Sequence, residues 1–357
     1  MRRLLLLLGL VLFVSLTAAC GDDDGDDAAG STTSTSSATT GAEDRDDGTT
    51  PEDADDDTTS TTSQEAVSAS YPVTIEHALG STTIEARPDR IVTLNVQWTD
   101  AVLAMGEQPV GYVLSTAAGE AEPYPWQSGL LDGSTVIETP DTVPFEQIAA
   151  LDPDLILVTF LASEDSQFET LEEIAPTIGL LGGREVDPWQ AQVETLGTVL
   201  GEPEDAADVI ADVEGQVAAM ADELPGLDGA TYTMANYVPG TGIYVIADPE
   251  DGSSKLFYDL GMEIDPEILE LDAEAVGRLQ ISFEQIGLLD ADLMCMLLNG
   301  TDPAEVAGLS ELGAVAEDAF ISFQLADIVG LNTPTPISVP YLLDLMRPTL
   351  EIVAAGA

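Results

Sequence analysis

A twelve-residue segment occurs twice in this chain, from Pro144 to Leu155 and again from Ser282 to Leu293. The copies read PFEQIAALDPDL and SFEQIGLLDADL, and an aliphatic run follows each of them. In each copy a residue suited to a helix start precedes Phe-Glu-Gln-Ile, and Gln285 can complete a capping box in the second. The pattern predicts a short helix and then a buried strand in two distant parts of the chain.

The apolar residues of each copy share one helical face, and a glutamate lies off that face in the first turn. The inward residues are Phe145, Ile148 and Leu151 in the first copy and Phe283, Ile286 and Leu289 in the second. Glu146 and Glu284 are therefore expected to point to solvent. A first-turn carboxylate complements the helix dipole by about 0.3 to 1 kcal/mol. That effect explains each glutamate singly, but it does not explain why the surrounding residues match.

Predicted strands and helices alternate along the chain from about residue 71 onward. A β-hairpin is expected in YPVTIEHALGSTTIEA, and the strand RIVTLN leads into an apolar helix at Asp100 to Met105. Such alternation predicts parallel sheets covered on both faces. From Pro203 to Leu224 apolar residues recur at steps of three and four, which predicts one long amphipathic helix. The predicted fold is α/β, with two Rossmann-like lobes (71–202 and 225–357) joined by a single long helix (203–224).

The first 20 residues have the pattern of an export signal. Arg2 and Arg3 precede an apolar run, Leu4 to Leu16, and small residues lead to Cys20. The run is shorter than the about 20 residues that span a bilayer. We interpret 1–20 as a lipoprotein signal peptide whose cysteine is lipidated, the alternative being an ordinary cleaved signal. Residues 21–70 are acidic and rich in Ser and Thr, so we expect a disordered tether.

The charge balance excludes several partners. The formal net charge is -57 and Lys255 is the only lysine, which argues against nucleic acid and against direct adhesion to anionic lipid. Contact with the membrane is therefore expected through the lipid anchor only. Cys20 and Cys295 are the only cysteines, so a lipidated Cys20 leaves no intramolecular disulfide. Cys295 lies in an apolar run and is expected to be buried and inert.

No catalytic signature appears in the sequence. There is no Gly-x-Ser-x-Gly elbow, no phosphate loop and no zinc motif, and His77 is the only histidine. A single histidine in a hairpin argues against an acid-base pair and against direct binding of free zinc or manganese. We therefore predict neither an enzyme nor a protein-held metal or cofactor.

The chain from about Pro72 to Val353 resembles the extracytoplasmic solute-binding lipoproteins of ABC importers for ferric siderophores, haem and cobalamin. The resemblance lies in RPDRIVTLN with DAVLAMGEQPVGY, in both repeat copies, in LEEIAPTI and in the single bridging helix. It implies a ligand cleft between two lobes and a protein that works as a monomer. It also implies that Glu146 and Glu284 dock onto arginines of a membrane permease, which is driven by its ATPase.

Aromatic and basic residues on loops after strand ends are the candidates for the cleft wall. They are Trp98, Tyr124, Trp126, Arg184, Tyr237 and Tyr244. Because few cations are available, a neutral or cationic chelate such as a ferric hydroxamate suits this protein better than an anionic catecholate. Haem or cobalamin binding, and a sensor that signals without transport, remain the alternatives.

Overall fold

An antiparallel hairpin opens the part of the chain that the computed structural model describes: residues 71–114, 122–138, 143–159, 161, 165–182, 186–271 and 278–356. Strands β1 (Val73–His77) and β2 (Gly80–Ile84) form it, as predicted. His77 is buried, with Nε2 3.0 Å from Thr82 Oγ1 and Nδ1 accepting from the Leu79 amide. Burial lowers its pKa. The predicted signal peptide, Cys20 and the tether lie outside the described residues.

The N-terminal lobe contains a parallel five-stranded sheet in the order β5-β4-β3-β6-β7. Its strands are β3 (Ile91–Thr93), β4 (Gly111–Val113), β5 (Thr135–Ile137), β6 (Leu155–Leu157) and β7 (Thr177–Ile178). Its helices are α1 (Val96–Ala104), α2 (Phe145–Ala150), α3 (Asp165–Glu172) and α4 (Trp189–Leu200). The alternation of strand and helix is the one predicted. Each strand is short because only two or three residues of each run pair with a neighbour.

One long helix, α5 (Pro203–Glu223), connects this lobe to the rest of the chain. Pro203 occupies its first turn, where the missing amide hydrogen costs nothing. Its 21 residues extend about 32 Å at 1.5 Å per residue. Gly197 of α4 allows close approach, since a Cβ there would lie 2.4 Å from Ala206 Cβ. The start of the bridging helix is therefore fixed against the N-terminal lobe.

The C-terminal lobe has a mixed sheet in the order β11-β9-β8-β12-β13, with β10 also beside β8. Its strands are β8 (Thr231–Val238), β9 (Gly242–Ile246), β10 (Glu263–Ile264), β11 (Arg278–Ile281), β12 (Leu293–Leu297) and β13 (Phe320–Phe323). Its helices are α6 (Gly252–Asp259), α7 (Pro266–Leu269), α8 (Gly313–Ala316), α9 (Leu325–Asn332) and α10 (Ser338–Gly356). Strands β9 and β11 run antiparallel to their neighbours, which departs from the parallel sheet predicted.

A continuous cluster of buried apolar side chains runs from the N-terminal lobe through α5 into the C-terminal lobe. Helix α5 contributes Ala206, Val213, Val217 and Met220 to it, the inward face expected from the spacing. The predicted fold class of two α/β lobes joined by one long helix is confirmed. None of the described helices combines the length and apolar character needed to cross a bilayer.

Candidate functional site

The two repeat copies fold into short helical segments that each present a glutamate to solvent. The first copy is α2, and the second is a 3-10 helix, Phe283–Leu289. Ile148 and Leu289 are fully buried beneath them. Glu146 and Glu284 lie in the first turns and are exposed. The local pattern therefore places the two carboxylates as predicted.

In the C-terminal lobe the repeat helix runs antiparallel to β8. The ring of Phe283, at its start, lies 5.3 Å from that of Tyr237, near the carboxyl end of β8. At its other end the Leu289 carbonyl accepts a 2.6 Å hydrogen bond from Thr233, near the start of β8. Glu284 therefore lies toward the carboxyl end of this strand.

The repeat helix of the N-terminal lobe has the same direction relative to its sheet. Gln147 exchanges two 3.3 Å hydrogen bonds with the backbone of Glu138, just past the carboxyl end of β5. The other end of the copy reaches the start of β4, where a Cβ on Gly111 would lie 2.3 Å from Leu151 Cδ1. Glu146 and Glu284 thus lie toward the carboxyl ends of the strands in their respective lobes. These edges are where α/β sheets place their ligand crevices.

The local hydrogen bonds of the second copy favour the ionised form of Glu284. The predicted capping box is present, with the Ser282 amide donating to Gln285 Oε1 at 3.1 Å. The backbone N–H of Glu284 itself, and then the Ser282 hydroxyl, lower the pKa of the Glu284 carboxyl. Because hydrogen bonds to a carboxylate favour its charged form, Glu284 is an anion at neutral pH.

Trp98 does not line a cleft, and this expectation was wrong. The sequence pattern placed the helix start at Asp100, but Asn95 caps the helix earlier, and its side chain accepts from the Trp98 amide at 3.4 Å. Trp98 therefore belongs to the first turn of α1. Its indole is fully buried in the core.

Tyr124 and Trp126 lie between the lobes, but they are packed rather than open. Their rings stack at 4.8 Å, and Trp126 also contacts Tyr341 of α10 at 5.6 Å. A Cβ on Gly330 of α9 would lie 3.2 Å from the Trp126 ring. The indole N–H donates to Asp100 at 2.8 Å. In this conformation both aromatics are covered by the C-terminal lobe and do not form an exposed wall.

Tyr237 and Tyr244 do not form one wall either. In the β8-β9 register Tyr244 is opposite Asn236, whereas Tyr237 is opposite Ile243. Directly paired residues share a face and successive residues alternate, so the two tyrosines lie on opposite faces of the sheet. Tyr237 packs on Phe283, whereas Tyr244 shares its face with Asn236 and with Gln280 of β11. Arg184, the remaining candidate, lies outside the described residues.

The sequence patterns did not indicate the polar row formed by Asn236, Tyr244 and Gln280 on one face of the C-terminal sheet. Asn299, which follows β12, donates to Asn236 Oδ1 at 2.6 Å and to the Tyr237 carbonyl at 2.9 Å. Asn299 has a positive φ of 50°, a conformation that asparagine tolerates better than most residues. An asparagine immediately after a buried strand was the signal that could have indicated this position.

Buried titratable groups are absent from the row. The thiol of Cys295 is fully buried in β12, and burial raises its pKa, as expected of an inert cysteine. Among the described residues no group of three or more His, Cys, Asp and Glu comes together as metal ligands. The side chains that the row itself offers are two amides and one phenol.

A family model described as periplasmic binding protein matches residues 91–317. YfiY of Bacillus subtilis strain 168, named as a siderophore-binding lipoprotein, is 33% identical over 165 residues, 44% of this chain and 47% of that protein. The ferric-anguibactin-binding protein FatB of Vibrio anguillarum is 29% identical over 152 residues, 41% of this chain and 45% of that protein. The chain thus spans about half the length of these relatives.

A solved structure shares the fold. The periplasmic solute binding protein of Mycobacterium smegmatis superposes with a TM-score of 0.67 at 23% identity, covering 79% of this chain and 99% of that chain. At this identity the likeness concerns the fold alone.

Proposed function

Because the chain belongs to the periplasmic binding protein family, we propose that it captures a ferric siderophore outside the cytoplasm and delivers it to an ABC permease. Family membership confirms the resemblance drawn from the sequence motifs and identifies a solute-binding protein rather than an enzyme. In this proposal lipidated Cys20 anchors the protein to the outer face of the plasma membrane. The observation that carries the proposal is the equivalent placement of Glu146 and Glu284 in two lobes.

Two exposed carboxylates on separate lobes suit docking better than binding of a small ligand. A contact between arginine and a carboxylate is directional, and two such contacts fix both the position and the rotation of a docked protein. Exposed ion pairs contribute less than about 1 kcal/mol each, so they supply orientation more than affinity. A permease surface with two separated arginine sites is the partner that this arrangement favours.

The cations of the described residues support a chelate of low negative charge. Every Lys and Arg side chain in this part of the chain has a partner. The pairs are Arg87 with Glu107 and Glu202, Arg90 with the carbonyls of Leu151 and Asp152, Lys255 with Asp259, Arg278 with Asp251 and Arg347 with Glu223. A triply anionic catecholate complex could use one of these five cations only by breaking its existing contacts. A ferric hydroxamate would require no cation, which makes it the favoured ligand.

Titration of the full-length lipoprotein in detergent tests the ligand class. Tryptophan emission would be followed during addition of a ferric trihydroxamate, a ferric tricatecholate, haemin and cobalamin. Trp126 supplies the signal because it lies between the lobes. The variant Trp126→Phe shows how much of the emission change comes from this residue. We expect saturable quenching by the hydroxamate at concentrations at least tenfold below those needed for the catecholate. Tighter binding of the catecholate, haemin or cobalamin would assign a different ligand.

A further inference from the structure

A carboxylate is buried where the two lobes meet. Asp100 lies one turn into α1 and is fully buried. It belongs to no ion pair in the described residues, and no cation contributes to its pKa. A formal charge of -57 leaves this chain with few cations to pair with acids, and one buried carboxylate with no counterion among the described residues requires an explanation.

Three uncharged donors from two separate segments converge on this carboxylate. Oδ2 accepts from Trp126 Nε1 at 2.8 Å and from Thr335 Oγ1 at 2.6 Å, and Oδ1 accepts from Gln127 Nε2 at 2.5 Å. Thr335 lies in the turn between α9 and α10, 235 residues further along the chain. One of the three hydrogen bonds therefore crosses from the N-terminal lobe to the C-terminal lobe.

The turn that contains Thr335 makes further hydrogen bonds, both within itself and to α1. Thr335 is fully buried, and its hydroxyl accepts from the Ser338 amide at 2.9 Å while it donates to Asp100. Gln97, on the same helix as Asp100, donates to the Pro334 carbonyl at 3.3 Å. The ring contact of Trp126 with Tyr341 lies beside these bonds. The turn from Thr333 to Ile337 is thus held against α1 at several points.

We propose that Asp100 is a lobe-positioning residue, whose hydrogen bond from Thr335 fixes how the α9-α10 turn of the C-terminal lobe sits on α1 of the N-terminal lobe. This inference goes beyond binding and docking. It gives the molecule a defined lobe arrangement that does not depend on ligand. The bond is charge-assisted when Asp100 is ionised, which offsets part, but not all, of the cost of burying the charged carboxylate.

The same burial makes this junction sensitive to pH. Burial raises the pKa of the Asp100 carboxyl to about 7, although the hydrogen bonds from Thr335, Gln127 and Trp126 lower it. The other titratable groups around the junction are Tyr124 and Tyr341, which pack on Trp126, and Asp327, which accepts from the Tyr341 hydroxyl at 2.9 Å. Asp187 contacts α1 through its backbone carbonyl, which accepts from Gln97 at 3.3 Å.

The sign follows from the raised pKa. When the junction is closed, Asp100 holds a proton that it would lose in water above its ordinary value of 3.8. Proton binding therefore favours the closed junction fully below about pH 4, and this stabilisation is lost as pH rises through about 7. Protonated Asp100 keeps the link to Thr335, since a hydroxyl can accept as well as donate.

Hydrogen exchange of the full-length protein, read peptide by peptide, tests the proposal. Thr335→Val removes the hydroxyl at constant shape, and Thr335→Ser keeps it. We expect Thr335→Val to raise exchange about tenfold in α1, in the opposite lobe, as well as in α9 and α10, and Thr335→Ser to restore the slow rates. The readout in α1 separates loss of the cross-lobe bond from loss of the Ser338 contact.

Either of two results would overturn the proposal. One is an effect of Thr335→Val confined to α9 and α10; the other is equal exchange in the valine and serine variants.

Asp100→Asn provides a second test that needs no large change in stability. After correction for intrinsic rates, protection of α1 in the wild type should fall as pH rises through about 7, and the Asn variant should lose this dependence. A retained dependence would assign it to another group. Neither measurement involves ligand or permease, so failure of the docking proposal would leave both readouts intact.

Discussion

Asp154 and Asp292 occupy equivalent positions in the two lobes. The Asp154 carboxylate accepts from the amides of Asp89 and Arg90 at 2.9 and 2.8 Å, immediately before β3. The Asp292 carboxylate accepts from the amide and hydroxyl of Thr231 at 2.7 and 2.8 Å, at the start of β8. Each aspartate precedes the strand that pairs with the one it holds. The repeat thus encodes a strand connection in addition to an exposed glutamate.

Replacing either aspartate should destabilise its own lobe. Asp154→Ala and Asp292→Ala each remove the acceptor of exposed strand-initiating donors, which water can then solvate, so we expect a cost of about 0.5 to 1.5 kcal/mol. Denaturant unfolding followed by circular dichroism measures the change. Asp132→Ala, which removes an exposed loop carboxylate, is the control. Equal midpoints in all three variants would contradict the assigned role.

Removal of both docking glutamates should separate transport from ligand binding. Glu146→Ala with Glu284→Ala removes two exposed carboxylates and no buried contact, so we expect folding and ligand affinity to be unchanged. Uptake of radiolabelled ferric chelate by cells that carry the permease should be lost. The control removes two other exposed acids, Glu169 and Glu173, which both lie in the N-terminal lobe. Loss of ligand binding in the first variant would refute the docking role.

The opposite faces of Tyr237 and Tyr244 predict opposite phenotypes. Tyr244→Ala should weaken chelate binding about tenfold, because it removes an aromatic surface from the polar row with Asn236. Tyr237→Ala should leave chelate binding unchanged and reduce uptake, because the Phe283 ring loses its packing partner. Parallel titration and uptake assays on the two variants give the comparison. A common loss of affinity would mean that both side chains reach the ligand.

Like charges on α5 should make stability depend on salt. Glu204, Asp208 and Asp212 are exposed at steps of four, an arrangement of like charges that opposes helix formation. Salt screens such repulsion, so the thermal midpoint should rise between low salt and 1 M NaCl. Asp208→Lys turns both repulsions into attractions and should raise the midpoint at low salt while flattening its rise. Asp208→Ala serves as the control that removes charge without adding it. A fall in the midpoint of the lysine variant would contradict this account.

Local patterns predicted the elements whose information lies within a few residues. The repeat helices, the hairpin and α5 follow from periodicity and caps, which a sequence contains directly. Trp98 was predicted to lie on a loop because the N-cap residue Asn95 was overlooked. The helix therefore begins before the apolar run from which its start was predicted. Strands β11 and β13 were not predicted, because each is a short run that gains its pairing from β9 or β12 far along the chain.

Contacts between distant segments could not be predicted from local sequence patterns. Asp100 marked the expected start of a helix, and nothing local indicates that Thr335 would bury it. The same limit applies to the cleft candidates. Alternation along β8 and β9 does not reveal which residues of the two strands pair, and that register decides that Tyr237 and Tyr244 face apart.

The tilted contact between the rings of Tyr237 and Phe283 joins two parts of the C-terminal lobe. These two rings pack the carboxyl end of β8 directly against the turn that presents Glu284. Under the proposed function, a ligand that shifts this strand end would also shift the turn that presents Glu284, and a docked permease would then contact loaded and empty protein differently.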